Sequence, residues 1–228
     1  MFSNTHSYSP TFKQECGEIH GIFGCMFSNK SSTLTQYAER YQRAKKNVLM
    51  INFAGNKRYG FEAHESINNH NSKTNGNKSG EMFNILALSH LKGLLNIEEE
   101  TKDVCKAKYN WISKEDFDKV DMLFIEEGHF FNDIEIVHEI SKLGKDIYVA
   151  SLDLDRDGKM WPNYIKLYKL CDTREMRDAV CEEEGCSSQH ATFTYYKKEG
   201  INSSLINIGD EDYMPMCRSC FLKRKNLF

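Results

Sequence analysis

Four short, mostly apolar runs set the rhythm of the chain. Ile19, Gly21, Ile22 and Phe23 belong to the first, and Val48–Phe53, 120–125 and 147–152 are the others. Runs of this length and continuity read as strands buried on both faces. After the first run, Leu34, Tyr37, Ala38, Tyr41 and Ala44 recur at helical spacing, with Glu39, Arg40, Arg43 and Lys45 between them. After the third, Ile134, Val137, Ile140 and Leu143 repeat the pattern, with Asp133 as the expected N-cap and Gly144 as the stop. Residues 83–95 are also apolar at helical intervals and read as a further short helix. Strands alternating with helices imply right-handed crossovers, hence an α/β fold with a mainly parallel sheet flanked by helices.

The polar stretches divide the chain further. Residues 1–16 read as a loose leader. Residues 68–80, rich in Asn, Ser, Lys and Gly, read as the flexible part of an insertion spanning about 66–100. The expected organisation is a nucleotide-binding domain over 17–172 and a cysteine-bearing module over 173–228.

Chemistry enters between the first strand and its helix. Gly24-Cys25-Met26-Phe27-Ser28-Asn29-Lys30-Ser31 follows the phosphate-loop pattern G-x-x-x-x-G-K-S/T at every fixed position but one, where Asn29 replaces glycine. In a strand-loop-helix setting, the first helical N–H groups and the helix dipole face a polyphosphate. Lys30 then reaches the outer phosphates, and the Ser31 hydroxyl serves Mg²⁺. Asn is the non-glycine residue most tolerant of left-handed geometry, so its presence is compatible with a working loop.

The third strand ends in Glu126-Glu127-Gly128-His129-Phe130-Phe131. Two carboxylates at the end of a buried strand are costly unless used. Glu126 is placed to help hold Mg²⁺ and Glu127 to take a proton from a substrate hydroxyl. If the strand stays extended there, the two side chains point to opposite faces. Near the C-terminus, Cys181 and Cys186, then Cys217 and Cys220, form two closely spaced pairs. Four thiolates in that arrangement read as a closed, structural Zn²⁺ site. Cys16, Cys25, Cys105 and Cys171 lack such partners, although Cys25 inside the loop is a candidate for oxidation or alkylation.

Composition narrows the class. The net charge of −3, with both signs interspersed, gives no field for nucleic acid. No apolar run reaches membrane-spanning length, and residues 1–10 lack an apolar signal core. A cytoplasmic protein with reduced thiols is expected.

In this order the motifs resemble the type II thymidine kinases, the zinc-containing family of vertebrate cytosol, bacteria and large DNA viruses. The family loop G-P-M-F-S-G-K-S-T is similar to Gly24 through Ser32, and D-E-G-Q-F-F to Glu126 through Phe131. D-x-R-Y is similar to Asn56-Lys57-Arg58-Tyr59, followed by His64, and A-L-D to Ser151-Leu152-Asp153. The final cysteine pair follows Tyr213-Met214-Pro215-Met216, as in the family, and the resemblance runs from about Gly17 to Phe221.

The resemblance implies a RecA-like phosphate-loop domain carrying a small zinc-binding lasso, assembled as a homotetramer. It implies transfer of the ATP γ-phosphoryl group to the 5′-hydroxyl of a deoxynucleoside, most often thymidine. Glu127 is then the general base. ATP and Mg²⁺ are held by Gly24, Met26, Phe27, Ser28, Asn29, Lys30, Ser31, Ser32, Arg58 and Glu126. The nucleoside is held by Met26, Phe130, Leu152, Trp161, Leu205, Ile208 and Tyr213, with 205–213 as a lid. The chain departs from the family at Asn29, Glu126 and Asn56, in a wider first cysteine pair, and in two charges, Asp155 and Arg156, expected beside the base pocket. Those departures leave open a nucleotide-binding sensor on the same fold.

Overall fold

The structure, a computed structural model, describes residues 16–54, 84–95, 112–198 and 211–227. Six strands form one sheet: β1 (Ile19–Gly24), β2 (Val48–Phe53), β3 (Asn84–Leu88), β4 (Met122–Ile125), β5 (Asp146–Ser151) and β6 (Thr173–Arg177). Their order is β3-β2-β4-β5-β1-β6, and every neighbouring pair is parallel. The mainly parallel α/β sheet read from the apolar runs is therefore present. Helix α1 (Lys30–Arg43) covers one face; α2 (Lys114–Asp118), α3 (Ile136–Ser141) and α4 (Pro162–Leu170) lie on the other.

Strand alternation sorts the core into those two faces. Ile22, Met50, Phe124 and Ala150 pack under Leu34 and Ala38 of α1. Phe23, Ile51, Leu123 and Val149 pack under Val137 and Ile140 of α3 and Leu167 of α4. Lys145, 5 % exposed, closes the lower edge, where its Nζ donates to the carbonyls of Phe117 and Val120 at 2.8 and 2.7 Å. Among the described residues no helix is long and apolar enough to cross a membrane.

Three expectations change. Residues 84–88 form an edge strand paired with β2, followed by a 3₁₀ turn at Lys92–Leu94, where a helix over 83–95 was expected. Asp133 does not cap α3; its Oδ2 accepts the Lys92 N–H at 2.8 Å, and the helix starts at Ile136. β6 belongs to the main sheet, so residues 173–177 sit with it and not with the cysteine module.

That module follows. An Ala179–Ala191 bridge leads into the antiparallel pair β7 (Phe193–Tyr196) and β8 (Tyr213–Met216), then α5 (Arg218–Arg224). Phe193 stacks on Phe221 at 4.5 Å, giving the module its own small core. Lys197 N–H donates to the Asp212 carbonyl at 2.8 Å, so the chain leaving β7 and returning to β8 is held together at its base.

Candidate active site

β1 and β4 are separated in the sheet by β5 alone, so the loop after β1 and the acids after β4 open at the same carboxyl edge. Crevices outside the carboxyl ends of parallel strands are where such sheets bind ligands. Gly24 begins the loop at φ 148°, and a Cβ there would stand 2.1 Å from the Arg177 carbonyl oxygen, so only glycine fits. Asn29 sits at φ 61°, ψ 25°, immediately before α1, in the left-handed region. Its carbonyl accepts the Thr33 N–H at 3.0 Å and starts the helix.

Inside the loop, Ser28 Oγ donates to the Cys25 carbonyl at 2.9 Å, and Lys30 Nζ donates to the same carbonyl at 2.5 Å. Lys30 is buried. Desolvation pulls its pKa below the usual lysine value, while Glu127 foremost, then Cys25, Glu126 and Asp153, pull it back up. The charges of three carboxylates thus oppose the effect of burial on one ammonium group. Ser31 Oγ donates to Glu126 Oε1 at 2.5 Å. Phe27 is 43 % exposed, and Ser32 is exposed on the first turn of α1.

Glu127 is not on an extended strand. Its backbone is left-handed, φ 57°, ψ 44°, and a 3₁₀ turn, Gly128–Phe130, follows. The opposite-face argument for the two acids therefore fails: the chain turns at Glu127, and Lys30 feels both. Five described non-glycine residues have positive φ; three of them, Phe27, Asn29 and Glu127, lie in the loop after β1 or at the turn after β4. Strain of this kind gathers at ligand sites.

The described side chains expected around the nucleoside fall into two joined clusters. Met26, Leu152 and Tyr213 pack with Tyr196, and the Tyr196 and Tyr213 rings lie 5.1 Å apart. Phe130 packs edge-on against Trp161 at 5.8 Å and at a tilt against Phe53 at 5.3 Å. His129 bridges them: its Nδ1 accepts the Leu152 N–H at 3.2 Å, and its ring lies against Phe130 and Trp161. Asp155 folds back into its own turn, accepting the Asp157 and Lys159 N–H groups at 2.9 Å, while Arg156 lies over the Tyr196 ring at 5.0 Å. Arg58, Leu205 and Ile208, together with Asn56, Lys57, Tyr59, His64 and Cys105, lie outside the described residues.

The donor set fits a hydrated dication. Glu126 and Ser31 supply oxygen ligands, and the carboxylates outnumber the lysine. Asn52, 5 % exposed near the end of β2, has no hydrogen-bond partner for either side-chain amide atom among the described residues. Such a buried amide is costly unless a ligand or water satisfies it. Sequence reading passed over Asn52 and gave Asp153 and His129 no role. The A-L-D match was the signal for Asp153; for the other two only position in the fold reveals them.

The four cysteines converge. The Sγ atoms of Cys181, Cys186, Cys217 and Cys220 all lie within 4.8 Å of one another, and Cys186 and Cys217 are 3.9 Å apart. A disulfide would need about 2.05 Å; four sulfurs about 2.3 Å from one tetrahedral zinc stand about 3.8 Å apart. The backbone N–H of Cys220 pulls the Cys217 thiol down to about 7, and burial pushes Cys220 up to about 12. Four thiolates side by side need a cation, and the cluster is compatible with zinc.

Cys25 is not the reactive thiol its place in the loop suggested. It is 0 % exposed, its Sγ donates to the Ala191 carbonyl at 3.1 Å, and burial pushes its pKa up to about 11. Brief iodoacetamide treatment of the native protein at pH 8 is expected to label exposed Cys16 and leave Cys25 unmodified, as read by peptide mass spectrometry. Label on Cys25 at the rate of Cys16 would contradict this burial.

Comparison with known proteins agrees with this geometry. The family model described as "Thymidine kinase" matches residues 17–93 and 87–221. The thymidine kinase of fowlpox virus is 27 % identical over 207 residues, covering 90 % of this chain and 97 % of that protein. That of sheeppox virus is 29 % identical over 206 residues, with the same coverage. The cytosolic thymidine kinase of Bos taurus is 29 % identical over 210 residues, covering 91 % of this chain and 73 % of its own length.

Proposed function

This chain belongs to the thymidine kinase family, and from that premise we propose that it transfers the γ-phosphoryl group of ATP to the 5′-hydroxyl of thymidine. The observation that carries the reading is that Ser31, next to Lys30 in the phosphate loop, donates to Glu126, next to Glu127, at 2.5 Å. A group that neutralises phosphate and a group that accepts a proton thus address one space. In-line phosphoryl transfer needs little else beyond positioning and charge.

In this reading Glu127 accepts the 5′-hydroxyl proton as that oxygen attacks the γ-phosphorus. Lys30 follows the charge on the transferring group, with Arg58 as its second cation. The loop N–H groups from Gly24 to Ser32 cradle the phosphates. Glu126 and Ser31 would hold Mg²⁺, which would supply positive charge against that developing on the phosphates. Met26, Phe130, Leu152, Trp161 and Tyr213 enclose the base, and Leu205 and Ile208 belong to the same nucleoside-binding set. Cys181, Cys186, Cys217 and Cys220 would hold a structural Zn²⁺ that staples the module. A cytoplasmic homotetramer completes the proposal.

A radiolabelled transfer assay with folded, zinc-loaded protein tests it over the common deoxynucleosides. Phosphorylated thymidine is the expected product; no product from any nucleoside sinks the reading. The left-handed backbone of Asn29 argues against a decayed loop. Left-handed geometry costs an ordinary L-residue about 1–2 kcal/mol, and Asn is among the residues that visit it routinely. Asn29→Gly is therefore expected to change the KM for ATP and kcat by less than about threefold. A gain of about a hundredfold would instead favour the impaired sensor.

A further inference from the structure

We propose that His129 is a positioning residue for Glu127, holding the carboxylate through a neutral imidazole of fixed tautomer; the proposal rests on the reading of Glu127 as the general base. The tautomer follows from one contact. The Leu152 N–H can only donate, and it points at His129 Nδ1 at 3.2 Å. Nδ1 must therefore be the acceptor, so the proton of the neutral ring is on Nε2. Protonating the ring would set two donors against each other at Nδ1.

Nε2–H faces Glu127. The Nε2 to Oε2 distance is 3.6 Å, within ion-pair range and just beyond a hydrogen bond. Contacts of this kind commonly tighten only when substrate is bound. The ring cannot swing away. It is 1 % exposed, its centroid is 4.0 Å from Phe130 and 5.0 Å from Trp161, and the His129 carbonyl accepts Asn163 Nδ2 at 2.9 Å. Three ring contacts and one backbone hydrogen bond thus aim one N–H at a carboxylate whose own backbone is left-handed. A donor aimed at a carboxylate favours its ionised form and selects its rotamer, which is what a base needs before a hydroxyl arrives.

The same ring joins the two halves of the pocket. Leu152 belongs to the Met26–Tyr196–Tyr213 cluster, whereas Phe130 and Trp161 belong to the other. Through His129, a base seated against those side chains is referenced to the carboxylate that takes the proton.

His129→Phe keeps a ring between Phe130 and Trp161 and removes both nitrogens. At saturating thymidine and ATP its kcat is expected to fall at least about tenfold, with the thymidine KM moving by less than about threefold. His129→Gln, whose amide both accepts and donates, is expected to recover at least about a third of the wild-type kcat. A Phe variant within about twofold of wild type, or equal losses in the Phe and Gln variants, overturns the proposal. Nitrogen-15 NMR of the imidazole in the unaltered protein gives a readout that no folding defect clouds. The Nε2–H tautomer is expected at pH 7.5, and an Nδ1–H tautomer or an imidazolium overturns the assignment. A wild-type protein inactive on every nucleoside would instead remove the kinase reading, leaving the tautomer as a separate fact.

Discussion

Glu127→Gln lowers kcat by about 10²–10⁴-fold, the range a positioned general base contributes. That loss corresponds to about 3–5 kcal/mol of barrier. ATP binding survives, because Lys30 keeps the charges of Glu126 and Asp153 beside it when Glu127 is neutralised. The two effects together separate a base from a mere structural acid. The variant also carries a pH signature. Burial lowers the Lys30 pKa, and Glu127 is the largest charge opposing that shift. With the carboxylate gone, the lysine pKa falls further, so phosphate affinity that needs the ammonium is lost at a lower pH on the alkaline side. Steady-state kinetics at saturating substrates and titration with a fluorescent ATP analogue between pH 7 and 10 measure both. Full turnover in Glu127→Gln would take the base role away from this residue.

The legible parts of this fold were those carried by local pattern. A glycine, a lysine and a hydroxyl at fixed spacing announced the loop, and continuous apolar runs announced β1, β2, β4 and β5. The cysteine spacing announced a cluster that the fold closes to within 4.8 Å. What escaped depends on neighbours far away in the chain. Residues 83–95 are too short an apolar stretch for periodicity to decide, and pairing with β2 makes the first part a strand. Asp133 has the chemistry of a cap, but the Lys92 N–H claims its carboxylate. The extended geometry assumed for Glu127 gave way to a left-handed turn, with Gly128 following where a Cβ would press to 2.5 Å from Val149. The roles of His129 and Asn52 come from what surrounds them, which no spacing along the chain encodes. Cys25 shows the converse. Its motif position suggested reactivity, but the module across from it buries the sulfur.

That burial leads to the second large effect: loss of a zinc ion from the four cysteines is expected to weaken ATP binding as well as nucleoside binding. A lid hinged on a metal would, when freed, cost only the nucleoside. Here the phosphate loop itself leans on the module. Cys25 shares one apolar cluster with Cys181, Ala191, Phe193, Met216 and Phe221, against which Cys186, Cys217 and Cys220 also pack. Cys25 Sγ donates to the Ala191 carbonyl, and the Met26 N–H donates to Thr194 Oγ1 at 3.0 Å. The Cys25 carbonyl, fixed from behind in this way, is the one that orients Lys30 Nζ. Binding of structural zinc contributes about 10–16 kcal/mol in small zinc-folded peptides, comparable with the whole stability of a domain, about 5–15 kcal/mol. Loss of the metal is therefore expected to unfold the module and slacken the loop it supports. Chelator-stripped protein, and Cys217→Ser as an independent route, are expected to lose at least about 3 kcal/mol of stability, the scale on which buried sites fail when one partner is removed. The same preparations are expected to bind an ATP analogue at least about tenfold more weakly. Thermal unfolding and analogue titration read the two quantities, and zinc re-addition restores both in the stripped protein. Undiminished ATP affinity after stoichiometric zinc loss would show that Lys30 holds its place without the module, and the coupling through Cys25 would fall.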